Sequence, residues 1–205
     1  SSDFIGGIRQ TVQQEYPVCT TLYIQGCAAE ISTRFTRQES SYQECQRIGG
    51  LIGKEVVNCL QQETQVVANL STKVLPIQFE VRDFKKRFES INDVQEARVI
   101  EVIKQGESFQ DLFCQSKTSE VIDSEVSVID FATFRLCNLP GEPFGEIGRD
   151  IKKTMGENTI VCGYCNDYVG YLVSNEGLKQ NSYEKYMMLF KEDTHDLIVQ
   201  TFKLG

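Results

Sequence analysis

The stretch Asn138-Leu139-Pro140-Gly141-Glu142-Pro143-Phe144 decides how the chain is read, together with Cys165-Asn166-Asp167-Tyr168-Val169-Gly170-Tyr171 further on. Glu142 stands before a proline, which disfavours the helical region for it, and Pro143 suits the opening turn of a helix. The carboxylate is therefore expected at a strand-to-helix corner. Between the two stretches lie an amphipathic pattern, Phe144, Ile147, Ile151 and Met155, closed by Gly156, and a short buried strand from Thr159 to Gly163. Glu142 and Tyr171 thus fall at two successive strand ends, where α/β folds place ligands.

Outward from this centre, residues 4–15 predict a helix with Phe4, Ile8 and Val12 at steps of four, ended by Pro17. Val18 to Gln25 is a β-prone run leading into Gly26 and reads as a strand. Ser41 to Gln62 predicts a long helix with Ile48, Leu51, Ile52, Val56, Cys59 and Leu60 on one side. Its Gly49, Gly50 and Gly53 cost helix propensity and are expected to allow close packing against the sheet. Val74 to Val81 alternates, with Leu75, Ile77, Phe79 and Val81 on one face, as a half-buried strand does. Asn92 to Gln105 predicts a helix stopped by Gly106, Glu120 to Leu139 two strand pieces joined near Asp130, and Thr194 the cap of a last helix through Leu197, Ile198 and Phe202. The fold class expected is layered α/β, a mixed sheet flanked by helices, with no internal repeat and no linker.

At 205 residues the chain is long enough for one substantial core. A formal net charge of −8 repels nucleic acid unless a basic patch overrides it, and the one basic cluster, Lys85-Lys86-Arg87, reads as a solvated turn. No apolar run approaches the ~20 residues that cross a bilayer. The first methionine is Met155, so a portion upstream of Ser1 is expected. Of the eight cysteines, Cys59 and Cys137 fall at expected core positions, where a free thiol packs as a small hydrophobe. The even count permits disulfides, but a chain of this size needs no staples; reduced thiols and a cytoplasmic setting are the expectation.

Leu139-Pro140-Gly141-Glu142-Pro143-Phe144 followed by Gly163-Tyr164-Cys165-Asn166-Asp167-Tyr168-Val169-Gly170-Tyr171 resembles the neutral/alkaline non-lysosomal ceramidase family of zinc amidohydrolases. The resemblance implies that Glu142 and Tyr171 are zinc ligands. Leu22-Tyr23-Ile24-Gln25-Gly26-Cys27-Ala28-Ala29-Glu30-Ile31-Ser32 is similar to the family's Gln-Gly-x-x-Gly-Asp-Val-Ser-Pro turn, which makes Ser32 the matching active-site serine. Weaker echoes are Asp3-Phe4-Ile5-Gly6, Arg47-Ile48-Gly49 and Tyr183-Glu184, so the likeness runs over most of the chain. It implies an N-acyl amide substrate, a ceramide-like lipid. It also implies that residues 1–205 are the C-terminal portion of the catalytic domain, with two histidine ligands in the missing N-terminal portion, because the family's His-Thr-His type segment has no counterpart here.

Other readings of the same residues stay open. Glu142 is also what a carboxylate stabilised by a helix N-terminus looks like, and Tyr164, Tyr168 and Tyr171 form a packed aromatic cluster equally well. In the serine turn, Ala29 and Thr33 replace the family's glycine and proline, and Glu30 its aspartate, so Ser32 also reads as a turn or cap residue. A catalytically inactive family member, kept as a structural or interaction module, is the alternative function. A triad of Ser32 with the sole histidine, His195, lacks a Gly-x-Ser-x-Gly elbow, and His195 reads as a surface or capping residue. Cys162-Gly163-Tyr164-Cys165 is followed by no helix that would depress a thiol pKa. Gly49-Gly50-Leu51-Ile52-Gly53-Lys54-Glu55 fails as a phosphate loop, since its spacing is short and Glu55 stands where Ser or Thr is required.

Overall fold

The computed structural model describes residues 3–61, 69–82 and 121–204. The chain divides into one unit of Ser1–Ile24 with Ile31–Val66 and another of Gln25–Glu30 with Val67–Gly205. The expected helix over 92–105, the basic cluster at 85–87 and Cys114 lie outside the described residues.

In the first unit, α1 (Asp3–Glu15) packs on α2 (Tyr42–Leu60) along a seam of small residues. A Cβ at Gly49 would meet the Phe4 carbonyl oxygen at 2.2 Å, and one at Gly53 would meet Thr11 Cβ at 2.6 Å. The contacts advance in the same direction along both helices, so the two run parallel. Parallel neighbours need a long return, and residues 16–41 provide it, with one short 3₁₀ turn at Thr33–Phe35. The start of α2 is fixed by a Ser41 cap, and Glu44 braces the turn before it. Ser41 Oγ accepts from the Glu44 N–H at 3.1 Å, while the Glu44 carboxylate takes two bonds from Arg47, at 2.6 and 2.7 Å, and the Gln38 N–H at 2.8 Å. These bonds hold the Glu44 carboxyl down at about 2, the Arg47 hydrogen bonds contributing most.

Three expectations change here. The α2 glycines face α1 rather than the sheet, because only a glycine seam lets the two backbones come this close. Buried on α2 are Glu44, Gly49 and Gly53, while Leu51, Ile52, Cys59 and Leu60 are exposed. Val18 to Gln25 is irregular rather than a strand, since its backbone joins no ladder; Val18, Leu22 and Ile24 are exposed.

The second unit is built on a four-stranded sheet. β1 (Ser71–Glu80) and β2 (Val121–Asp130) pair antiparallel over their whole length, Ser71 opposite Asp130 and Glu80 opposite Val121. The expected alternation holds: Ile77 and Phe79 are buried, Gln78 and Glu80 exposed. A turn at Phe131–Phe134, with Ala132 left-handed at φ 68°, leads into antiparallel β3 (Arg135–Asn138) and completes the hairpin expected near Asp130. β4 (Glu142–Pro143), α3 (Gly145–Met155) and β5 (Thr159–Cys162) follow, β5 lying parallel to β3. The sheet is therefore mixed. β6 (Tyr171–Leu172) pairs parallel with β4 in a separate two-stranded piece. A 3₁₀ turn at Gly177–Lys179, the short α4 (Tyr183–Met187) and α5 (Thr194–Leu204) end the chain.

One core joins these elements. Phe79 stacks on Phe190 with ring centroids 4.7 Å apart, and Ile147 and Ile151 of α3 with Ile198 and Phe202 of α5 close over the sheet. Each such side chain stabilises by about 1.5–3 kcal/mol through burial. Thr194 does not cap α5 as expected. It is the first helical residue, and its hydroxyl donates to the Lys191 carbonyl at 2.7 Å.

Candidate functional site

Past the end of β3 the backbone is caught by the loop that follows β5. Leu139 N–H donates to Cys162 O at 2.8 Å, Tyr164 N–H to Gly141 O at 2.9 Å and Val169 N–H to Pro140 O at 2.7 Å. Glu142 N–H then donates to Gly170 O at 2.9 Å and Phe144 N–H to Leu172 O at 3.0 Å, which sets the β4–β6 register. In that register Glu142 stands directly opposite Tyr171, and Pro143 opposite Leu172. Pro143 and Leu172 go into the core. By strand alternation Glu142 and Tyr171 share the other, half-buried face. Gly141 is needed for this approach, since a Cβ there would lie 2.4 Å from the Gly170 carbonyl oxygen.

The carboxylate and the phenol are thus neighbours. Tyr171 is pushed up to about 12, first by burial and then by the Glu142 charge, with Tyr183 and Glu184 adding to it. The Tyr183 ring meets Tyr171 edge-on at 5.9 Å. Tyr168 donates its hydroxyl to Glu142 Oε1 and stacks on Tyr164 at 5.8 Å. Its own phenol is raised by burial, by that hydrogen bond and by the Glu142 charge.

The turn before Ser32 docks on the same corner. Ala29 N–H donates to Pro143 O at 3.3 Å. Glu30 Oε1 accepts from Gly145 N–H at 2.7 Å, serving the N-terminus of α3 where Phe144 offers no side-chain cap. The carboxylate that bonds the α3 N-terminus is thus Glu30. Ser32 itself belongs to the first unit. It is exposed and extended, and its Oγ accepts from Arg34 N–H at 3.2 Å as the cap of the 3₁₀ turn. It lines a cleft of about 690 Å³ with Asp3, Phe4, Arg37, Tyr42 and Cys45.

His195 is buried rather than on the surface, and it caps no helix. Its Nδ1 accepts from Asn175 N–H at 3.1 Å, and its Nε2 lies 3.2 Å from Asp150 Oδ2, so it ties α5 to α3 and to the turn after β6. Cys162 and Cys165 are both free thiols, Cys162 pushed up to about 11 by burial and Cys165 raised for the same reason. Neither has the depressed pKa a redox role requires.

No family model and no curated protein sequence matches the chain. Solved structures do, two ceramidases among them. Neutral ceramidase from Pseudomonas aeruginosa aligns with a TM-score of 0.63 at 15% identity, over 99% of this chain and 40% of its own. A ceramidase complexed with C2 aligns with a TM-score of 0.66 at 12% identity, over 99% and 41%. The fold resembles neutral ceramidase. The chain spans about two fifths of the length of the ceramidases it matches, and at these identities the likeness is one of fold.

The donor chemistry suits part of a zinc site. A carboxylate and a phenol in register on adjacent strands are two oxygen donors of the kind zinc accepts, out of about four needed. Among the described residues no group of three or more His, Cys, Asp or Glu is arranged to hold a metal. Sequence reasoning missed the parts that support the pair. Glu30 and Tyr168 were visible only as motif letters, and nothing local shows which atoms they meet.

Proposed function

We propose that this chain carries part of a zinc amidohydrolase site of the neutral-ceramidase kind, cleaving the amide of an N-acyl lipid. Glu142 and Tyr171 would hold the metal, Ser32 would work at the scissile amide, and two histidines would come from the remaining part of the ceramidase fold. The observation that supports this best is the Glu142–Tyr171 register in a fold that resembles ceramidase. Bound zinc supplies a Lewis acid that polarises a carbonyl or lowers the pKa of water. Glu142 brings one negative charge. Tyr171 would have to lose its proton to ligate, which a dication favours electrostatically, while burial and the Glu142 charge oppose it.

The alternative, an inactive member acting as a structural or interaction module, draws on the Ser32 hydroxyl being engaged as a cap and on the altered turn before it. Fatty-acid release from an N-acylsphingosine by the intact protein separates the two. The enzyme reading expects release that a chelator abolishes and that Glu142→Ala or Tyr171→Phe lowers by more than about 100-fold. A well-folded intact protein with no release supports the inactive reading, and undiminished release by both variants overturns the assignment of the ligands.

A further inference from the structure

We propose that Tyr168 is the positioning residue for Glu142, an inference that rests on the metal-site reading above. The loop from Gly163 to Gly170 is built at a cost. Tyr164 and Asn166 both sit in the left-handed region, at φ 58° and 66°, where non-glycine residues persist only if their surroundings impose it. The anchors are visible. Asn166 Nδ2 donates to Glu125 Oε1 at 3.1 Å and reaches Ser127 Oγ at 3.5 Å, and Ser124 Oγ donates to Asp167 Oδ2 at 3.2 Å, which pins the loop to β2. Backbone bonds from Tyr164 and Val169 pin its two ends to Gly141 and Pro140.

What this loop delivers is the Tyr168 ring, stacked on Tyr164, with its hydroxyl on Glu142 Oε1. Oε1 is thereby oriented, and among the described residues no hydrogen bond is made to Oε2. A carboxylate with one oxygen held and the other available is set to bind a cation through one oxygen. Tyr168 acts here as a proton donor to the carboxylate, so its part is to aim the ligand, while Tyr171, in register with Glu142, is the phenol that ligates.

The test compares the intact protein with its Tyr168→Phe and Glu142→Ala variants. Zinc affinity is read by competition with a chromophoric chelator, and site geometry by the visible bands of the cobalt-substituted protein. Tyr168→Phe keeps the ring and its stack, and is expected to bind zinc about 10–100-fold more weakly with shifted cobalt bands and an unchanged melting curve. Asn166→Ala, which loosens the loop from β2 away from the site, is expected to weaken zinc binding in the same direction by less. Unchanged affinity and bands in Tyr168→Phe, with metal lost in Glu142→Ala, overturn the role of Tyr168 and leave the metal site standing. Metal loss confined to variants whose melting has collapsed also overturns it. A folded wild-type protein that takes up no zinc overturns the metal site and this inference with it.

Discussion

The Tyr171 phenol is held against losing its proton. Tyr171 is raised to about 12 from the usual value near 10, by burial first and by the Glu142 charge second. The folded state therefore keeps a proton that the unfolded chain gives up, so the contribution of this group to stability is whole below pH 10 and is lost as pH rises towards 12. Without metal, Tyr171→Phe is expected to lose less stability than wild type across that window, as urea unfolding on either side of it would show. The placing of Glu142 and Tyr171 at strand ends was legible in the sequence because motif and spacing are local. Tyr168 was not, since its partner depends on two left-handed residues that no periodicity announces. His195 was misread because its burial depends on Asp150 and Asn175, which only tertiary packing brings to it.

Elements were legible by type more than by partner. The 3.6-residue pattern located α2 well, yet the face expected to be buried is the large apolar one, whereas the contact with α1 is made by Gly49 and Gly53, with Gly7 of α1 against Gly49. Small residues carry little hydrophobic signal, so this seam shows only once two backbones are seen to touch. It makes a paired prediction. Gly49→Ala puts a Cβ 2.2 Å from the Phe4 carbonyl oxygen and is expected to destabilise by about 1–3 kcal/mol. Gly50→Ala meets nothing nearer than Thr11 Oγ1 at 3.8 Å and is expected to be neutral or to stabilise by up to about 1 kcal/mol. Thermal melting by circular dichroism reads both. The strand expected over 18–25 failed for a related reason: β-prone residues make a strand only where a ladder partner is present, and here a bond from Gly163 N–H, just past the end of β5, to Gln25 O starts no ladder.

The layered α/β class was legible at the scale of the molecule, because alternation in β1 and the helix between two strand runs fix a mixed sheet with little else. The two units differ in what they bury. The second has a continuous apolar core, while the first buries Ile8, Val12, Gly7, Gly49 and Gly53 and leaves Val18, Leu22, Phe35 and Leu51 exposed. None of the described helices is long and apolar enough to cross a membrane. The metal-site proposal rests on the register of Glu142 and Tyr171 in a fold that resembles neutral ceramidase. Elemental analysis of the intact protein by plasma mass spectrometry, wild type beside Glu142→Ala, tests it most directly. About one zinc ion per chain is expected in the wild type and none in the variant; a folded wild type without zinc, or a variant that keeps it, overturns the proposal.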